Sequence, residues 1–361
     1  MLSETSGEFL TLHELVKAAR EKLSKNIWDY LTGGTETETT VRRNRLALDS
    51  LAFRPRVLRN VSKIDCSGQF LRERIRIPVA LAPVGSVESF DPGGGATVAA
   101  AAGEFGVPMF LSSVTQPGLE ATATAAPSAC RIFQLYVRGG DDFVDDHVRR
   151  AIDGGYRAFC ITVDTAIYSR RERDIASRFV KPWRARATGF DFQAGLNWDH
   201  VKRFKDKWDI PLILKGIATA EDAALACEHG VAAVYASNHG GRQLDHGRGS
   251  LDVLPEIVEA VAGRAKVYVD GAFCRGTDVV KAIALGADLV CVGRLYLYGL
   301  AAAGHAGVLR VLELMEMEIR SVLGLLGVDS FSKLDKSYLH KAEPVRTPHV
   351  LSAFPLIEEG Y

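Results

Sequence analysis

Between residues 77 and 293 the chain alternates short apolar runs with helical segments, and this alternation restricts its fold more than any other feature. The apolar runs are 78–83, 109–113, 131–137, 158–164, 211–217, 232–238, 266–271 and 289–293. The segments that follow them, 96–105, 117–125, 142–153, 198–208, 219–229, 251–262, 277–285 and 307–325, read as helices. Strands that are apolar on both faces suit a parallel sheet covered on each side, because a water-facing strand would alternate. Four junctions repeat one spacing: Ala102-x3-Gly106, Ala151-x3-Gly155, Ala226-x3-Gly230 and Ala282-x3-Gly286. The glycine fits the left-handed turn that ends a helix, and the alanine allows close packing on the sheet. Eight such units predict an α/β chain folded as a (β/α)8 TIM barrel. A doubly wound sheet is the alternative, but no strand is followed by a good G-x-G-x-x-G turn.

Ahead of the barrel, 11–24 reads as a helix capped by Thr11, with Leu12, Leu15, Val16 and Ala19 on one face. A second piece carries Ile27 to Leu31 and stops at Gly33-Gly34, and a third spans about 39–50. The expected division is a helical cap over 1–76, a barrel over 77–325 and a tail over 326–361, together one domain. In the tail, Leu351, Phe354, Pro355 and Leu356 are apolar without helical spacing, so it is expected to lie across a neighbouring subunit.

Lys plus Arg and Asp plus Glu are equal at 44 each, so no basic excess points to nucleic acid. None of the six cysteines forms a CxxC pair, which predicts reduced thiols in a cytoplasmic protein and no metal centre. Residues 1–9 show no basic region followed by an apolar one, and no apolar run reaches the roughly 18 residues of a membrane span. A soluble protein without a secretory signal is expected.

In a barrel of this kind, the polar groups at the carboxyl ends of the strands form the site. Those ends carry Pro83-Val84-Gly85, Ser112-Ser113, Gln134 and Tyr136, Thr162 and Asp164, Lys215, Ser237 and His239, Asp270-Gly271, and Gly293-Arg294. The connection from 164 to 198 is oversized, carries Arg170-Arg171, and is of a length usually functional or mobile. The stretch Ser237 to Asp245 holds an imidazole with a guanidinium, Arg242, three residues on. A base and a fixed cation at that spacing suit an anionic substrate that must lose a proton. Singly, each group has a plainer reading: a strand-end histidine is more often structural, Asp164 could cap a turn, and Lys215 could be half of an ion pair. Together they point to one pocket.

Ser237-Asn238-His239-Gly240-Gly241-Arg242-Gln243-Leu244-Asp245 resembles the signature of the FMN-dependent α-hydroxy acid oxidases and dehydrogenases. The resemblance continues through Tyr30, Phe133-Gln134-Leu135-Tyr136, Thr162-Val163-Asp164-Thr165, Arg170-Arg171, Leu214-Lys215-Gly216 and Gly293-Arg294, over about residues 10–325. It implies oxidation of an (S)-2-hydroxy acid to the 2-oxo acid, with electrons passing from FMN to oxygen, giving hydrogen peroxide, or to another acceptor. It implies His239 as the base, Asp164 as its orienter, and Arg242 and Arg171 on the substrate carboxylate. Tyr30 and Tyr136 would bond the carboxylate and hydroxyl. Lys215 would lie at the flavin N1/O2 edge, with Ser112, Gln134, Thr162 and Ser237 on the isoalloxazine or ribityl chain. Backbone at Pro83-Val84-Gly85 would line the flavin, and its phosphate would lie by Asp270-Gly271 and Gly293-Arg294. A homotetramer is the implied assembly.

Two departures from the family stand out. Cys274 occupies the place of an arginine that helps hold the phosphate, and the adjacent Arg275 is spaced to point elsewhere, so a weaker anchor or a substitute cation is expected. Val114 replaces the tryptophan of glycolate oxidase, and Gly85 replaces the alanine of small-substrate oxidases. Both remove volume and predict a roomier pocket for a bulkier acid, an aryl one such as a mandelate, unless Trp183 or Phe190 refills the space. A flavin-dependent isomerase of isopentenyl diphosphate, or an inactive barrel used for binding, are the competing readings.

Overall fold

The structure, a computed structural model, describes residues 9–181 and 183–361; residues 1–8, part of the stretch inspected for a secretory signal, lie outside it. Eight parallel strands close a barrel: β1 Val79–Leu81, β2 Met109–Ser112, β3 Arg131–Leu135, β4 Ala158–Thr162, β5 Leu212–Ile217, β6 Ala233–Ala236, β7 Lys266–Val269 and β8 Leu289–Val292. β8 pairs back onto β1, with Val290 beside Val79 and Val292 beside Leu81. Each strand falls inside an apolar run identified in the sequence. Gly216 and Lys266 are the only residues of these eight strands not buried, as a sheet covered on both faces requires. The four junction glycines take φ of 91° at Gly106, 69° at Gly155, 66° at Gly230 and 102° at Gly286, the left-handed region where a Cβ is costly.

The lumen is filled by Phe110, Ile132, Tyr235, Tyr268 and Leu289, among others. A hairpin of Gly68–Phe70 and Glu73–Ile75 brings Phe70 to 5.9 Å from the Tyr268 ring and plugs the lower end. Burying each such aromatic contributes about 1.5–3 kcal/mol. The lumen is therefore packed, and the opening lies at the carboxyl ends of the strands.

Three helices precede the barrel: Leu12–Lys22 packs on the last helix, while Lys25–Thr32 and Thr39–Asp49 bring Tyr30 and Asn44 to that opening. The first carries its own capping box, Thr11 with Glu14. The third has none: Glu38 precedes it in a left-handed conformation without a side-chain cap. Its free amides are met from across the molecule, because the Asp245 carboxylate accepts from the N–H groups of Thr37 and Thr40, both at 2.9 Å. Asn238 and Asn44 exchange amide hydrogen bonds of 2.9 and 2.7 Å. The segment after β6 therefore fastens the cap to the barrel.

Two expectations are corrected. The tail folds back on its own chain: Leu339–Lys341 pairs with Leu51–Phe53, and Phe354 is buried edge-on to His13 and Tyr298, at 5.8 and 6.1 Å. Its apolar residues lack a helical period because they pack from an irregular segment onto the cap. The last helix begins at Arg294, not near 307, and runs to Leu326 with a break at Ala303 and Gly304. Its first half is buried almost all round, so no polar stripe revealed it. By length and composition this helix could cross a membrane, but most of it is buried in the fold.

Candidate active site

His239 lies just past β6 at φ 60°, followed by Gly240 at 63° and Gly241 at 75°. A non-glycine residue in that region costs about 1–2 kcal/mol, and here the strain turns the imidazole into the barrel mouth. The His239 N–H donates to Ser237 Oγ at 3.0 Å and fixes the turn. Its Nδ1 lies 3.1 Å from Asp164 Oδ1, at the end of β4, and its Nε2 lies 3.1 Å from the Tyr136 hydroxyl, at the end of β3. With Nδ1–H on the carboxylate, Nε2 is the acceptor. Burial and the Lys215 charge hold His239 below its ordinary pKa, against the pull of Asp164. Burial would raise Asp164, but His239 keeps it below the usual carboxylate value. The pair therefore presents a neutral imidazole beside an ionised acid.

Lys215 ends the regular part of β5, before a β-bulge at Gly216. Its Nζ donates to Ser237 Oγ at 3.0 Å and lies 3.5 Å from Asp270 Oδ2, while Ser237 donates to Asp270 Oδ1 at 2.6 Å. Burial pulls Lys215 down, but Asp270 and Asp164 hold it above its ordinary value. A buried lysine is thus kept charged under the mouth.

On the opposite side, Arg242 donates to the Gly33 carbonyl at 2.8 Å and lies 4.9 Å from the Tyr30 ring centre. Burial, with Arg171 and Arg294 nearby, pushes Arg242 down to about 9. A bound carboxylate would relieve that stress, since a guanidinium fork matches it bidentately. The Tyr30 hydroxyl donates to the Gly85 carbonyl at 2.7 Å. Lys181 was not anticipated: its Nζ sits 4.3 Å from the Tyr30 ring centre, paired with Asp174 at 2.6 Å and Tyr168 at 3.0 Å. Burial, Arg171 and Arg242 push it down to about 6. No local pattern marks a lysine folded inward from a loop.

These groups surround a cavity running from Tyr30, Val114 and Trp183 past Lys215 to Gly271, Cys274 and Arg294. Its residues fit FMN. Both amide atoms of Gln134 and the Thr162 hydroxyl are buried under the mouth without a partner, as a ring with donor and acceptor edges would require. Ser112 is buried beside them. Pro83, Val84 and Gly85 line one wall by their backbone, with the Val84 carbonyl bonded to Thr115 at 2.6 Å. At the far end, Gly271 has φ 116°, and a Cβ on Gly293 would meet nothing nearer than 3.8 Å. Arg294 is the cation at this end, its Nε and Nη2 on the carbonyls of Leu31 and Gly33 at 3.0 and 2.9 Å. Arg275 turns outward to Glu318, at 2.5 Å, and Cys274 presents a buried thiol whose pKa burial raises.

The expected gain in room is only partly found. A Cβ on Gly85 would lie 2.8 Å from Val114 Cγ2 and 3.6 Å from Trp183 Nε1. Val114 closes toward the glycine, and the long loop lays its indole over the gap. Together they refill the space that the two small residues would have opened. Phe190 does not reach it and packs under Arg138, 4.1 Å from the guanidinium.

A profile of the FMN-dependent dehydrogenase family matches residues 19–341. The chain is 39% identical over 356 residues to glycolate oxidase 1 of Oryza sativa subsp. indica, covering 92% of this chain and 96% of that one. It is 35% identical over 357 residues to the L-lactate oxidase of a Nostoc species, covering 92% and 98%. A solved structure of mandelate oxidase with benzoyl-formic acid superposes with a TM-score of 0.86 at 38% identity, covering 94% of this chain and 100% of that one. The monotopic membrane protein (S)-mandelate dehydrogenase does so at 0.86 and 30%, covering 93% and 100%. The chain belongs to the FMN-dependent dehydrogenase family and is an FMN-dependent α-hydroxy acid oxidoreductase.

Proposed function

We propose that the preferred substrate is an (S)-2-hydroxy acid with an aryl side chain, of the mandelate kind, oxidised to its 2-oxo acid with electrons passed on to oxygen or another acceptor. The observation that carries this reading is the Trp183 indole, which lines the cavity together with Gly85, Val114 and His239, the partner of Asp164. An aryl ring gains contact with such an aromatic wall, and glycolate has no side chain to make it. Likeness to mandelate oxidase and mandelate dehydrogenase supports it.

The geometry supports the following roles. Arg242 and Arg171 take the carboxylate, with the Tyr30 hydroxyl between them. Tyr136 and His239 Nε2, 3.1 Å apart, receive the substrate hydroxyl. His239 accepts the proton given up in oxidation, and Asp164 stabilises the imidazolium that results. Bound FMN supplies the acceptor for the two electrons. Gln134, Thr162, Ser112, Ser237 and Lys215 would hold its ring and chain, and Asp270-Gly271 with Gly293-Arg294 its phosphate end. The charge kept on Lys215 favours any negative charge gathered beside it.

The test is a panel of hydroxy acids given to the FMN-loaded protein, under air and anaerobically with an artificial acceptor. Anaerobic bleaching by (S)-mandelate, with kcat/KM at least tenfold above that for glycolate, is expected. Activity on glycolate far above that on mandelate would sink the reading.

A further inference from the structure

A second, smaller cavity adjoins the first, and Tyr136, Arg171, Trp183 and His239 line both. Its own walls include Arg138, Thr165, Tyr168 and Phe190. Three of these lining residues carry a buried polar atom without a partner: Arg138 Nε, Arg171 Nε and Thr165 Oγ1. No carboxylate lines the cavity, and among the described residues Arg138 makes no salt bridge. The nearby acid, Asp164, is engaged by His239. Stacking on Phe190 holds the Arg138 guanidinium in place, while Arg184 stacks at 3.4 Å on the Tyr168 ring. Burial lowers the Arg138 pKa, the sign of a cation short of solvent and of counter-charge. Partly buried donors left without acceptors are costly in an empty site and favourable to a ligand that supplies one.

Arg138 also stands in a telling place. It follows Tyr136 by two residues on the loop leaving β3. Tyr136 faces His239, so Arg138 lies beyond the reacting end of the substrate. Trp183, an aromatic wall of the main cavity, is also a wall of this second space.

We propose that the side cavity is a distal subsite in which Arg138, helped by Thr165, binds a carboxylate at the far end of the substrate side chain. The preferred substrates are then 2-hydroxy acids with a second anionic group on an aryl or similarly extended side chain. This rests on the aryl-acid reading above.

The experiment compares kcat/KM of the holoenzyme for mandelate, 4-methylmandelate and 4-carboxymandelate, in the wild type and in Arg138→Met. The methyl compound controls for bulk without charge. The wild type is expected to favour the carboxy over the methyl compound at least tenfold, mainly through KM. Arg138→Met is expected to bring the two within threefold while leaving mandelate turnover within threefold of wild type. Thr165→Val gives a second, smaller loss of the same preference should Arg138→Met fold poorly. No preference in the wild type, a preference kept in Arg138→Met, or an equal loss on all three acids would overturn the subsite and leave the aryl reading standing. Oxidation of glycolate with none of the three acids turned over would overturn both.

Discussion

The strand-borne half of the site and the loop-borne half are built on opposite plans. On the strands, each charge has a fixed partner: His239 has Asp164 at 3.1 Å, and Lys215 has Asp270 at 3.5 Å with Ser237 between them. Across the mouth, Arg171 and Arg138 keep unpartnered nitrogens, and the walls are aromatic planes from Tyr168, Trp183 and Phe190. These charged pairs need no ligand to hold their geometry, as proton transfer and electrostatic stabilisation demand, although neutral Gln134 and Thr162 beneath them still lack partners. The loop arginines are completed by what they select.

The sharpest way to break this contrast is to remove the base. His239→Ala is expected to lower kcat by about 10²–10⁴-fold while flavin absorbance shows the cofactor still bound. Wild-type kcat/KM should fall on the acid side with an apparent pKa below the ordinary imidazole value, because burial and Lys215 disfavour the imidazolium. Asp164→Asn removes the group that raises it, so the acid limb should move to lower pH as the rate drops. A limb moving upward would contradict the pairing. On the loop side, Trp183→Ala should cost about tenfold in kcat/KM for an aryl acid, the worth of roughly 1.5 kcal/mol of apolar contact, and leave a small acid nearly unaffected; equal losses on both would mean that the indole only supports the loop. The smallest effect expected on the rate is that of Asp245→Ala. It should lower stability by about 1–2 kcal/mol, as loss of a helix cap does, read as a lower denaturation midpoint with kcat nearly unchanged.

The same contrast explains what could be read from the chain. The eight strands were legible because burial on both faces leaves an uninterrupted apolar run, and the His239 turn because its glycines and charges are contiguous. The loop-borne half was not, because its contacts join residues with no shared period: Lys181 with Tyr30, Trp183 with Gly85, Arg138 with Phe190. Arg138 was missed although it lies two residues past Tyr136, a position where a cation has a short path to the mouth. Asp245 was seen as part of a signature, but its hold on Thr37 and Thr40 spans about two hundred residues and has no local trace. The direction of the tail depended likewise on a distant partner, the Tyr298–His13 surface that receives Phe354.

The carbonyl of Gly33 has a consequence for how such a chain can be divided. It accepts from both Arg242, at 2.8 Å, and Arg294, at 2.9 Å. These two buried guanidiniums belong to the barrel, yet their shared acceptor belongs to the second helix of the cap. A barrel shortened to begin near residue 77 would strip both cations of this acceptor and leave them side by side, repelling each other. Cap and barrel are therefore not modules to be recombined or inherited apart; they should melt in one transition, and the boundary between them is a seam in the sequence only.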